Sequence, residues 1–134
     1  MLACGCVVFA LAACSSPTIS DDAANACGWD EPPVPVVSAI DATAEQRAQN
    51  VQQARTRLEA AQRVVEGDDR FGALVEALSE TAAFASELEW MSVDEIGQIS
   101  NERWDFAKYA QAAARDQCEQ LAGVVGRHLQ DSEK

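Results

Sequence analysis

The chain has 134 residues and a net charge of −12, from 22 acidic against 10 basic side chains. That balance excludes nucleic acid as a partner, because phosphate binding needs a basic surface, and it excludes adsorption to anionic lipid by charge alone. The length suits one small domain with a tether and is too short for two cores.

In chain order, the first element is Leu2 to Ala13, which carries no charged residue and stops at two small residues and a cysteine. This is the apolar core and small-residue end of a secretory signal, about half the length that spans a bilayer. Its last four residues, Leu11-Ala12-Ala13-Cys14, resemble the lipobox of bacterial lipoproteins: aliphatic, small, small, cysteine. The resemblance covers only this processed end, and no family is recognised for the rest. It implies a signal peptide over 1–13, acylation (palmitate among the chains) of the Cys14 thiol, and cleavage that makes Cys14 the N-terminus of a 121-residue mature chain. At ~0.8 kcal/mol per buried methylene, one acyl chain anchors marginally and two or more anchor stably. The implied address is the extracytoplasmic face of the cell membrane. In a two-membrane cell, Ser15 resembles the class sorted to the outer membrane.

Residues 14–42 read as the lipidated N-terminus and an extended tether. Polar Ser, Thr, Asp and Asn come first, then Glu31-Pro32-Pro33-Val34-Pro35, whose prolines remove backbone donors and favour polyproline geometry. Val34 to Val37 is the one place where an incidental strand is conceivable.

From Thr43 the pattern becomes helical, and the spacing predicts a domain over 43–134. Thr43-Ala44-Glu45-Gln46 fits a capping box, and Val51, Ala54, Leu58, Ala61 and Val65 recur at steps of three and four. A first helix is expected over 43–66, closed by a left-handed Gly67. Asp68 or Asp69 caps a second helix over 69–90 with Phe71, Leu74, Val75, Leu78, Ala82, Ala85 and Leu88 inward. So short a turn makes the two helices antiparallel neighbours. Ser92-Val93-Asp94-Glu95 is a second capping box and Ser100-Asn101 offers another start. One helix of nearly forty residues would overhang its partners, so a short helix over 92–99 and a long one over 101–130 are expected. Trp104, Ala107, Ala110, Ala114, Cys118, Leu121, Val125 and Leu129 form the inward stripe of the last. The fold class is therefore all-α, a three-helix antiparallel bundle with a short fourth helix.

Cys4 and Cys6 fall in the signal and Cys14 is taken by lipid, leaving Cys27 and Cys118. In an oxidising compartment an even pair is expected as a disulfide, here closing a loop of 91 residues. Neither thiol has the Cys-x-x-Cys spacing of a redox pair.

Candidate chemistry is thin. Glu87 with Glu89, Asp94 with Glu95, and Asp68 with Asp69 pair carboxylates, yet all fall at helix ends or on polar faces, where acids cap and offset the dipole. Asp68-Asp69-Arg70 supplies too few oxygens for calcium. His128 has only Asp131 nearby as a second ligand, so no metal or other cofactor is expected. There is no Gly-x-Ser-x-Gly elbow and no phosphate loop. Among the tryptophans Trp29, Trp90 and Trp104, the last two flank the break between helices and are expected to plug one end of the bundle. The functional alternative is a binding groove of Trp90, Trp104 and Tyr109.

These features predict a non-enzymatic envelope lipoprotein, anchored through Cys14 and binding an envelope or secreted protein through a helical face. The alternatives are a small apolar ligand held in a hollow between Trp90, Trp104 and Leu58, and a prophage-type superinfection-exclusion lipoprotein, a class that is also small, anchored and helical.

Overall fold

A computed structural model describes residues 19–31 and 39–126. The signal segment, Cys14, the Pro32 to Val37 stretch, His128 and the C-terminal tail lie outside the described residues. Of the described residues, 82% are helical and none is in a strand, so the fold is an all-α bundle.

The elements are α1 (Ile19–Cys27), α2 (Ala44–Gly67), a 3-10 turn (Asp69–Phe71) leading into α3 (Gly72–Glu89), α4 (Val93–Gly97) and α5 (Asn101–Val124). The sequence reading has an extended tether where α1 stands, and that expectation is corrected. Its only fully buried apolar residues are Ala23 and Ala26, too little bulk to mark a helix in a run of Ser, Asp and Asn. Tertiary contacts hold this helix: α1 lies against α2 and reaches α5.

Its C-terminus is a Schellman turn. Gly28 takes φ +67° and the Trp29 amide donates to the Ala24 carbonyl at 3.2 Å. The positive φ is what favours glycine there; a Cβ would in addition push aside the flexible end of Arg57.

The α2 start follows its capping box. Gln46 N donates to Thr43 Oγ1 at 3.0 Å, and Thr43 N to Gln46 Oε1 at 2.8 Å. Val51, Ala54 and Ala61 are buried as the stripe predicts, but Ala60 and Val64 join them while Leu58 and Val65 are only half-buried. The cause is α1, which covers a second face of α2. Gly67 remains inside the helix; its end is made by Asp68, in extended geometry at φ −155°, whose amide donates to the Val64 carbonyl at 2.8 Å.

Asp68 then starts the next element, with Oδ1 accepting from Arg70 N at 3.1 Å. Phe71, Leu74 and Leu78 are buried as expected. Met91 breaks the chain, and the second capping box restarts it through Glu95 N to Ser92 Oγ at 3.1 Å and Ser92 N to Glu95 Oε1 at 2.8 Å. Ser100 caps α5, accepting from Arg103 N at 3.1 Å. The break into a short and a long helix is therefore real. In α5, Ala107, Ala110, Ala114 and Leu121 are buried; Trp104, Cys118 and Val125 are half-buried.

Helix α3 is central: α2 packs on one side of it and α5 on the other. Between α2 and α5 there is at most marginal contact. At one end α1 bridges them, with Cys27 joined to Cys118 across a sequence separation of 91.

Candidate binding groove

The gap between α2 and α5 is a groove of about 1460 Å³, half open to solvent. Leu78, Phe84 and Leu88 of α3 line it. Ala54 of α2 and Ala107 and Ala114 of α5 keep its sides low, and Cys27, Gly28 and Trp29 bound the end at the disulfide. A second hollow of about 590 Å³ shares Phe84, Trp104, Ala107 and Gln111 with it and extends it past Ile96 and Ile99 towards α4.

Arginine supplies the charge of the groove. Arg47 and Arg57 of α2 and Arg115 of α5 all line it, with Glu119 the one carboxylate among the described lining residues. The Arg47 Nη1 donates to the Ala42 carbonyl at 2.9 Å. Arg57 Nη2 donates to Glu31 Oε1 at 2.7 Å, and Gln53 Nε2 donates to the same oxygen at 2.9 Å. The Nε atoms of both Arg47 and Arg57 are buried without an acceptor among the described residues.

At the α4 end the aromatic residues form a stack. Phe84 and Trp104 meet edge to face with centroids 5.1 Å apart, and the Arg103 guanidinium lies 4.3 Å from the Phe84 centroid. Arg103 is steadied by Glu87, its Nη2 donating to Oε2 at 3.0 Å. Phe84 was not part of the stripe read from the sequence. It follows Ala77 by seven residues, two helical turns, and that spacing was the available signal.

Of the aromatic trio expected at a groove, only Trp104 lines this one. Trp90 is 81% exposed and Tyr109 74% exposed, and neither borders it. On α5, Tyr109 follows Trp104 by five positions, roughly 140° around the axis, which sends the two rings to different faces. Trp90 sits at the C-cap of α3 with its ring in solvent, so it does not plug the bundle. Leu58 is half-buried and likewise does not line the groove. Trp29, which carried no specific expectation, does.

One carboxylate of each pair serves local structure. Glu95 completes a capping box, Glu87 binds Arg103, and Asp68 caps the 3-10 turn. Asp68 also accepts from Arg70 Nε at 2.9 Å, and hydrogen bonding from that guanidinium and from the Arg70 amide lowers its pKa to about 2. Among the described residues no group of three or more His, Cys, Asp or Glu could hold a metal, and no helix is long and apolar enough to cross a membrane.

Fold and site together define a disulfide-fastened helical bundle whose described residues form a groove between α2 and α5. The chain matches no protein-family model, no curated protein and no solved structure.

Proposed function

We propose that this chain is an exported lipoprotein, cut before Cys14 and held by acyl groups on that residue at the extracytoplasmic face of the cell membrane. It acts there without catalysis, docking an envelope or secreted protein. The anchor reading rests on the Leu11-Ala12-Ala13-Cys14 pattern and the uncharged run before it. A disulfide between Cys27 and Cys118 agrees with export, because such bonds persist in oxidising compartments.

The observation that carries the docking reading is the groove between α2 and α5. Small-molecule sites are enclosed and occupy roughly 300–1,000 Å³. This one is larger and half open, which suits a polypeptide segment better than a small apolar ligand.

The test is a cleavable cross-link on intact cells, with recovery through a C-terminal tag and identification by mass spectrometry. One stoichiometric partner, seen with the anchored chain and lost in Cys14→Ser, is the expected result. Absence of any partner, with the chain confirmed at the membrane, would contradict the reading.

A further inference from the structure

The reach of the anchor follows from where α1 begins, given the Cys14 reading above. Four residues, 15–18, separate Cys14 from Ile19, the first residue of α1. A chain spans at most about 3.6 Å per residue, so the two Cα atoms lie within about 18 Å of each other whatever path the link takes. A tether running on to Thr43, as the composition predicts, would span up to about 100 Å. Helix α1 therefore shortens the leash about fivefold.

That shortening depends on α1 being fastened, and the fastenings also fix its direction. Arg63 donates to Asp22, Arg57 donates to Glu31, and Cys27 is joined to Cys118. With Asp22 beside Arg63 and Glu31 beside Arg57, α1 runs antiparallel to α2. Its start therefore stands at the closing end of α2, next to the turn of Asp69–Phe71. From that turn α3 runs for 18 residues, about 27 Å, to its C-cap Trp90. The leash thus leaves from one end of the bundle, while Trp90 and α4 mark the other.

Charge sets the pose. A net charge of −12 penalises laying a flank of the molecule on an anionic leaflet, so only the end held by the leash stays close.

We infer that the end of the bundle formed by the start of α1 and the α2–α3 turn is its lipid-facing surface, held at the bilayer by the short link from Cys14, with Trp90 and α4 outermost. The groove between α2 and α5 is then open only to proteins that come within about 55 Å of the bilayer.

The test uses the mature chain of the anchor reading, residues 14–134, in which Cys14 is the one thiol outside the disulfide. That thiol is coupled to a maleimide phospholipid in nanodiscs of phosphatidylcholine and phosphatidylglycerol, some of whose headgroups carry chelated gadolinium. In amide NMR spectra the signals of Asp21 and Arg70 are expected to be broadened away, while those of Trp90 and Val93 persist. The second variant inserts about twenty Gly and Ser residues between Ser16 and Pro17, adding roughly 25 Å of root-mean-square reach outside the folded domain. It should restore the Asp21 and Arg70 signals, and the spectrum itself reports that the fold is kept. Equal broadening at both ends, broadening confined to Trp90 and Val93, none at any amide, or a pattern unchanged by the insertion would each overturn the inference. Because the lipid is attached chemically, such a failure leaves the acylation reading intact. That reading falls separately if Cys14 recovered from the membrane fraction of cells carries no acyl group.

Discussion

Arg63 Nε donates to Asp22 Oδ1 at 2.9 Å, joining α2 to a helix 41 residues earlier in the chain. The two partners are unequally buried: the Asp22 side chain is 10% exposed and that of Arg63 48%. Removing either therefore has a different consequence. Arg63→Ala leaves a buried carboxylate without its partner and is expected to destabilise by about 2–3 kcal/mol, whereas Asp22→Asn lets the guanidinium rehydrate and should cost only about 1 kcal/mol. Urea unfolding of the two variants, compared at equal m-value, checks the order.

The disulfide is the second fastening of α1. Chain entropy for a loop of this length gives about 4–5 kcal/mol, an upper figure for Cys27→Ser with Cys118→Ser. The expected loss is about 2–4 kcal/mol, with residues 19–31 becoming the first site of limited proteolysis. If the reduced variant unfolded at the same denaturant concentration as the oxidised chain, the bond would not be constraining the domain.

Gly28→Ala combines a left-handed backbone with displacement of the flexible end of Arg57. It is expected to destabilise by about 1–3 kcal/mol. Gly72→Ala, at the first position of α3 with open space around it, should be neutral or slightly stabilising. Thermal melts of the pair measure the contrast.

Asp68 should titrate with a midpoint of about 2 in the folded chain, and higher, part of the way back toward its ordinary 3.8, in Arg70→Ala, which removes the guanidinium and keeps the residue-70 amide donor. The folded value lies below the unfolded one, so the carboxylate's contribution is complete above about pH 4 and is lost as pH falls through 2. Carboxyl carbon shifts followed by NMR through that window report it directly.

The aromatic residues divide sharply. Phe84→Ala and Trp104→Ala are expected to destabilise by about 3 and 2 kcal/mol, because each loses the other's ring. Trp90→Ala should fall within about 0.5 kcal/mol of wild type. Chemical denaturation of the three variants would show it.

The helices that carry their own signals were legible in the sequence: Thr43 with Gln46, Ser92 with Glu95, and Ser100 each form the caps that their spacing announces. The pairing of Cys27 with Cys118 was legible too, by elimination on the expectation of export that Leu11-Ala12-Ala13-Cys14 raises. Helix α1 was not, because Ala23 and Ala26 bury completely only once α2 and the disulfide are in place. For the same reason the buried face of α2 came out too narrow. Gly67 was misread because Asp68 already ended the helix in an extended conformation. The groove was out of reach, since it arises from how far α2 and α5 stand apart across α3. Nothing in the period of either helix encodes that separation, and bulky Trp90 and Tyr109 attracted attention to faces that turn out to be solvent.

The most direct measurement is site-specific photo-cross-linking in living cells, with the photoreactive residue placed in turn at Asn50 and Gln111, which line the groove, and at Arg55 and Glu76, which do not. One adduct of fixed mass from the groove positions, absent from the other two and abolished by Cys14→Ser, is the predicted result. No adduct from any position, with the chain present in the membrane fraction, would contradict a docking function.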